Sequence, residues 1–249
     1  MSQENKSQGN FNGALTDESL AHLLDAMAPG QKVSKDEIDV IRQLKPRIAR
    51  YAPSMEISAR GDRCDTTYIV SSGWGCTYMD LPDGSRQIAD FQLKGDIIGL
   101  RASGANWDEL FFAISDLTVL ELPTSGLNRA FSSAPNLAVR FLYALARKSA
   151  IQGEHIVNIG RRSASVRLAH LLLELGVRLE NAGLADEDGY YCPLTQHDLA
   201  DALGLTSIHV NRMLRTLRQS NLITFRNGRV NFTNRKAAIS YAHFEDDYL

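Results

Sequence analysis

The stretch from Thr206 to Gln219, "TSIHVNRMLRTLRQ", divides its residues by chemistry. Leu205, Val210, Leu214 and Leu217 recur at the spacing of one helix face. Ser207, Ile208, His209, Asn211, Arg212, Arg215 and Arg218 fall on the other side, and no acid stands among them. Such a face recognises; it does not make or break bonds. Guanidinium groups attract phosphates, while hydroxyl, amide, imidazole and methyl groups can read base edges. Arg226 and Arg229 follow shortly, on either side of Asn227-Gly228. Residues 206–236 hold seven Lys or Arg and no Asp or Glu. The whole chain carries a net −2, so the remainder sums to −9. A local basic block on an acidic chain points to a polyanion partner more strongly than the total charge does.

A helix with an anchored back and a basic front needs a scaffold. Thr195 precedes a helix expected over Gln196 to Leu203, and Asp198 completes a variant capping box. Gly204 ends that helix and Thr206 caps the next. Ala200, Gly204 and Val210 have the spacing of a helix-turn-helix. "NLITFRNGRVNF" then reads as strand, Asn-Gly turn and strand, a wing. Thr195 and Gln196 at the first helix, Thr206 to Arg218 on the second, and Arg226 and Arg229 on the wing are the expected DNA contacts.

The 249 residues as a whole, 44% hydrophobic, suit a globular α+β protein. Residues 1–34 read as a polar arm followed by a short helix capped by Thr16. Ser34 caps another helix, in which Ile38, Ile41, Leu44 and Ile48 share a face until Pro46 ends or kinks it. Residues 53–123 change to short β-branched and aromatic runs, with Asp83-Gly84 as a hairpin turn, which suggests a barrel or jelly roll. "FFAISDLTVLELP" is a third such run. Pro135 opens a long helix to about residue 160. Leu137, Phe141, Ala144, Leu145, Ile151 and Ile159 form its apolar seam, expected to face a second copy. Gly153 weakens that helix locally. "SASVRLAHLLLELGVRLENAG" is an amphipathic helix, and the acidic loop "LADEDGYY" follows. The expected division is 1–34 arm and short helix, 35–133 sensory domain, 134–160 dimerisation helix, and 161–249 winged helix-turn-helix domain.

The three cysteines, Cys64, Cys76 and Cys192, form no disulfide framework or zinc spacing. No apolar run is long enough for a membrane span and no signal peptide is evident, so a cytoplasmic protein is expected. GxxxxGK[ST], HExxH and GxSxG are absent, and an enzyme is not expected.

"RRSASVRLAHLLLELGVRL…LTQHDLADALGLTSIHVNRMLRTLRQSNLI", with "GDRCDTTYIVSSGWGCTYMDLPDGSRQIADFQLKGDIIGL" before it, resembles the Crp/Fnr family of bacterial transcription regulators. The resemblance implies a cyclic-nucleotide-binding-like jelly roll, a long dimer helix and a winged helix-turn-helix. It also implies a homodimer on a pseudo-palindromic operator, with RNA polymerase as a further partner. In nucleotide-binding members a Gly-Glu-Leu segment and an Arg-Ser pair hold ribose and cyclic phosphate. Here the first reads Gly95-Asp96-Ile97-Ile98-Gly99-Leu100, and the second aligns with Trp107-Asp108. Carboxylates beside a phosphate repel it, so cyclic AMP is not expected and an unidentified small-molecule effector is left open. The oxygen-sensing branch needs a cysteine cluster, and no cysteine precedes Cys64. His22 and His155 are read as surface or interface residues, and Cys64 and Cys76 as buried or inert thiols. Family recognition helices begin with an Arg-Glu pair, at positions matching Ser207 and Ile208 here. The rival reading is an effector-binding or protein-interaction module whose winged helix does not read DNA specifically.

Overall fold

The computed structural model describes residues 15–58, 65–100 and 110–249. The chain forms two compact units. One takes the residues up to Gly75 together with Gln92–Tyr143; the other takes Cys76–Phe91 and Ala144–Leu249. The polar arm of residues 1–14, Cys64, Trp107 and Asp108 lie outside the described residues.

In the first unit, helix α1 (Asp17–Met27) starts where Thr16 Oγ1 accepts from Ser19 N, and α2 (Lys35–Gln43) starts at a full capping box between Ser34 and Glu37. The expected continuation of α2 through Ile48 does not occur. Lys45 takes a left-handed φ of 53°, Pro46 follows, and Arg47–Tyr51 is strand β1. Pro46 lacks a helical N–H and disfavours helix in the residue before it. The periodicity had merged one helix with the strand after it. β1 pairs antiparallel with β8 (Leu117–Pro123), which pairs with β3 (Thr66–Ser72), which pairs with β6 (Ile97–Ile98). A second antiparallel pair joins β2 (Glu56–Ser58) to β7 (Leu110–Ala113). The single run expected over "FFAISDLTVLELP" is therefore two strands, broken where Ile114 N and Ser115 N donate to Trp74 O. Alternation sends Ala49, Tyr51, Tyr68, Val70, Leu117 and Val119 inward, where they meet Phe111.

Helix α3 (Leu127–Ser133) leads into α4 (Pro135–Arg161), and Pro135 takes the first helical position as expected. The seam of α4 needs correction. Leu137, Phe141, Ala144 and Ile151 are buried within their own chain, Phe141 against the ring of Phe131 at 5.1 Å, and Leu145 is half-buried. Ile159 alone of the six is among the exposed large apolar residues. The outward stripe consists of Val139, Leu142 (67% exposed), Tyr143, Ile156 (73% exposed) and Val157. Exposed Ala146, Gly153 and Gly160 recur along the same face at seven-residue intervals. A helix has two apolar faces here, and spacing alone does not say which one its own chain covers.

In the second unit, β4 (Gly75–Asp80) and β5 (Arg86–Gln92) form the expected hairpin. Gly84 has φ 82° and Asp83 Oδ1 accepts from Ser85 N. Helix α5 (Ala164–Asn181) is buried on every side from Leu168 to Leu179. Strand β9 (Gly189–Tyr191), helices α6 (Gln196–Leu203) and α7 (Ser207–Gln219), strands β10 (Ile223–Arg226) and β11 (Arg229–Phe232), and α8 (Arg235–Ala242) complete the unit. Their sheet order is β10-β11-β9. Among the described residues no helix is long and apolar enough to cross a membrane.

Candidate nucleic-acid interface

The two helices of the basic region are set by their ends. Thr195 Oγ1 accepts from Asp198 N at 3.2 Å, and Asp198 Oδ2 accepts from Thr195 N at 2.9 Å. This reciprocal box satisfies two of the orphan donors at the start of α6. Gly204 is left-handed, φ 62°, and Leu205 N reaches back to Ala200 O. Thr206 Oγ1 then accepts from His209 N and starts α7. Val210 and Leu217 are buried and seat α7.

The opposite face is solvent-facing. Ile208, His209, Asn211, Arg212, Arg215 and Arg218 are exposed, and Ser207 is half-exposed. Ile208, at 83%, has the highest exposure of the large apolar side chains among the described residues. Exposure of a large aliphatic group at a helix start has no value for folding. Arg212 Nη2 lies 2.5 Å from His209 Nε2, so the guanidinium donates to the imidazole and holds two polar side chains together. Thr195 and Gln196 are exposed at the start of α6.

The wing is the expected hairpin. Asn227 and Gly228 have φ of 53° and 71°, the left-handed pair that a tight two-residue turn requires. Arg226 and Arg229 are paired in register on either side of it, both exposed. Arg229 Nε donates to Asn231 Oδ1 at 2.9 Å. Of the seven basic residues in the block, Arg235 is turned inward, where it is bonded to both carboxylate oxygens of Glu180. Tyr191 was missed: the sequence places it at the end of an acidic loop. It lies on β9 opposite Arg229, 64% exposed, beside the turn glycine. The adjacent tyrosines carry the only signal, since Tyr190 is buried with its hydroxyl donated to Leu172 O.

Strand β5 holds this scaffold along its length. Arg86 donates to Asp198 at 3.1 Å and to Asp201 at 2.9 Å, and Gln87 Nε2 donates to Ala202 O. Further along, Ala89 O meets His155 Nδ1, and Arg178 donates to Asp90 Oδ1 and Phe91 O. His155 is thus a half-buried residue tied into its own unit. Its Nε2 lies 3.0 Å from Glu174, which is fully buried and also bonded to Arg178. Burial opposes a charge on His155, but the Glu174 carboxylate and its hydrogen bonds prevail and raise the imidazole to about 9. Asp90, His155 and Glu174 are close enough to hold a metal ion. The Arg178 guanidinium already bonds both carboxylates, so two cations balance two anions there without one.

The effector segment is built for turns. A Cβ on Gly95 (φ 91°) would meet Ala26 O at 2.5 Å, and one on Gly99 (φ 81°) would meet Thr66 O at 2.5 Å. Asp96 Oδ2 accepts from Leu93 N, and Leu100 is half-buried. Cys76 and Cys192 are both buried, and burial pushes each thiol up to about 12. His22 is exposed on α1.

Residues 166–237 match the Crp-like helix-turn-helix domain, and residues 48–134 match the cyclic nucleotide-binding domain. The nitrogen fixation regulation protein FixK of Rhizobium meliloti is 32% identical, over 82% of this chain and 91% of its own. FixK of Bradyrhizobium diazoefficiens is 31% identical, over 73% of this chain and 76% of its own. The solved structure of FixK2 from Bradyrhizobium japonicum superposes with a TM-score of 0.70 at 28% identity, covering 79% of this chain and 96% of its own. With the capped helix pair, the wing and these relatives in agreement, the chain belongs to the Crp/Fnr family of DNA-binding transcription regulators.

Proposed function

We propose that the protein works in the cytoplasm as a homodimer on a pseudo-palindromic operator, with α7 of each copy in the major groove and the wing against the backbone. The observation that carries this is the acid-free exposed face of α7 above a buried Val210 and Leu217. Arg215, Arg218, Arg226 and Arg229 neutralise phosphates, while Ser207, Ile208, His209, Asn211 and Arg212 face base edges. Thr195, Gln196 and Thr206 stand at the two helix starts, where backbone N–H groups favour phosphate. RNA polymerase is the further partner that family membership suggests.

Ile208 sets the specificity. A Glu there would accept from cytosine N4, whereas Ile offers only apolar contact, as to a thymine methyl. Ile208→Glu is expected to change base preference at one position per half-site by about 1–3 kcal/mol. Arg226→Ala is expected to weaken all sites alike and to flatten the salt slope by about one. Site selection on random duplexes, followed by affinities at several salt concentrations, checks both. An unchanged preference for Ile208→Glu, or a changed one for Arg226→Ala, means the register of α7 on DNA is wrong.

The effector is not cyclic AMP. Tyr51, Tyr68 and Phe111 occupy the interior of the first unit, and Tyr51 donates its hydroxyl to Glu121 at 2.7 Å. Calorimetry at millimolar cyclic AMP is expected to show no saturable heat; a micromolar dissociation constant would refute this.

A further inference from the structure

Three helices of the second unit meet at one side chain. Arg167, near the start of α5, donates from Nη1 to Leu203 O at 2.6 Å, and from Nη2 to Ile159 O at 2.9 Å and Arg162 O at 3.2 Å. Leu203 is the last residue of α6, and Ile159 lies in the last turn of α4. Both carbonyls are among the last four of their helices, which have no partner within the helix. The guanidinium therefore stands at two helix C-termini at once, where the helix dipoles favour a cation. None of its partners is a carboxylate. Its Nε is buried and has no hydrogen-bond partner among the described residues. Burial lowers the pKa of this arginine. A buried donor left unbonded costs stability. What the planar fork adds over an apolar side chain of similar length is a fixed geometry between the two helix ends.

The end of α6 is also held from β5. Gln87 Nε2 donates to Ala202 O, so consecutive carbonyls of α6 are taken by β5 and by α5. Gly204, Leu205 and Thr206 then lead to the start of α7. A Cβ on Gly204 would meet Arg167 Nη1 and Ile159 Cγ2, both at 3.9 Å, so this turn rests on the guanidinium and on the last turn of α4. Ile159 is itself exposed, next to Ile156 and Val157 of the outward stripe. One stretch of α4 thus carries part of the face offered to a second copy and the seat of the turn before α7.

We propose that Arg167 is a positioning residue that locks the α6–α7 turn to the end of α4, and that in the dimer this lock sets the distance and rotation between the two copies of α7. It rests on the reading of a homodimer on a two-half-site operator. Its consequence is a strict half-site spacing. One base pair more or less moves a half-site by about 3.4 Å and turns it by about 35° around the duplex. A turn held by charge-assisted hydrogen bonds to two helix ends resists that displacement, whereas one held by packing alone yields to it.

Arg167→Met removes the bonds and keeps an unbranched side chain, and Arg167→Lys keeps the charge but cannot span both helix ends. Affinities of the full chain are measured for a single half-site and for paired half-sites at the selected spacing and one base pair to either side. The wild-type protein is expected to lose about tenfold or more on either change of spacing. Both variants are expected to stay dimeric in sedimentation with unchanged circular dichroism, and to keep half-site affinity within about threefold. They are expected to lose roughly tenfold at the selected spacing and to distinguish the spacings by about threefold or less. Equal losses on single and paired half-sites, or a wild-type spacing preference in either variant, overturn the proposal. The lock is also read without DNA, from spin labels on Gln152→Cys and Gln219→Cys with Cys64→Ser, diluted into unlabelled protein so that each distance lies within one copy. The distance distribution between α4 and α7 is expected to be narrow with Arg167 and about twice as broad or more with Arg167→Met. An equally narrow distribution in the variant overturns the lock whatever the DNA shows. A wild-type protein that binds paired half-sites no better than one overturns the operator reading, and the distance measurement then decides the lock by itself.

Discussion

Replacing Leu142 and Ile156 together by Glu is expected to give a monomer and to weaken binding to a full two-half-site operator by about two orders of magnitude or more. Both side chains are exposed by two thirds or more on one stripe of α4, with Val139, Tyr143 and Val157 beside them. Exposed apolar side chains near both ends of one helix face call for a partner, and a second copy of the same helix is self-complementary across a two-fold axis. Gly153 and Gly160, where an added Cβ would meet nothing within 4 Å, let two such helices approach closely. Two Glu side chains per helix place four like charges in that seam. Binding of the second half-site then ceases to be intramolecular, which is the source of the large factor. Sedimentation equilibrium and gel shifts on whole and half operators measure it. Half-site affinity is expected to stay nearly constant, and a double variant that remains dimeric would show that another surface joins the copies. Phe141→Glu is a poor probe of the same question, because that ring is buried in its own chain and a charge there unfolds it.

The second large effect is on stability. Glu174→Gln is expected to cost about 3–5 kcal/mol, since breaking a buried pair leaves Arg178 and the His155 imidazolium without their shared carboxylate. For a chain of this length that lowers Tm by roughly 10 °C. The pH dependence has a definite sign. His155 has its folded pKa raised from 6.5 to about 9, so its contribution is fully present below pH 6.5 and is lost as pH rises through 9. On the acid side, burial and then the charge of Arg162 push His170 down to about 4. It must charge on unfolding, so stability also falls as pH drops from 6.5 toward 4. Thermal melts from pH 4 to 10 should therefore show a maximum near neutrality, and Glu174→Gln should flatten the alkaline limb. An alkaline limb of unchanged slope in the variant would mean that His155 draws its shift from elsewhere.

Much of the interface was legible in the residues themselves because its determinants are local. Caps at Thr195 and Thr206, the left-handed Gly204, and Asn227-Gly228 each act over a few residues. The basic face of α7 follows from a helical period once those ends are set. The same local logic placed the Asp83-Gly84 hairpin and the start of α4 at Pro135. It failed at Ile48, where helical spacing ran by coincidence across Pro46 into a strand, and at Tyr191, whose role depends on pairing with Arg229 far along the chain.

The tertiary structure decided which of two apolar faces of α4 is covered, and it reversed the sequence reading of Phe141 and Ile151. It turned His155 from a lone histidine into one corner of a buried charge network, and it set Arg235, one of the seven basic residues of the block, against Glu180. In each case the deciding quantity is burial or charge compensation by residues distant in sequence. Periodicity reports which side chains share a face, and residue type reports what that face can bind. Neither reports what packs against it, because that depends on contacts formed only when the chain has folded.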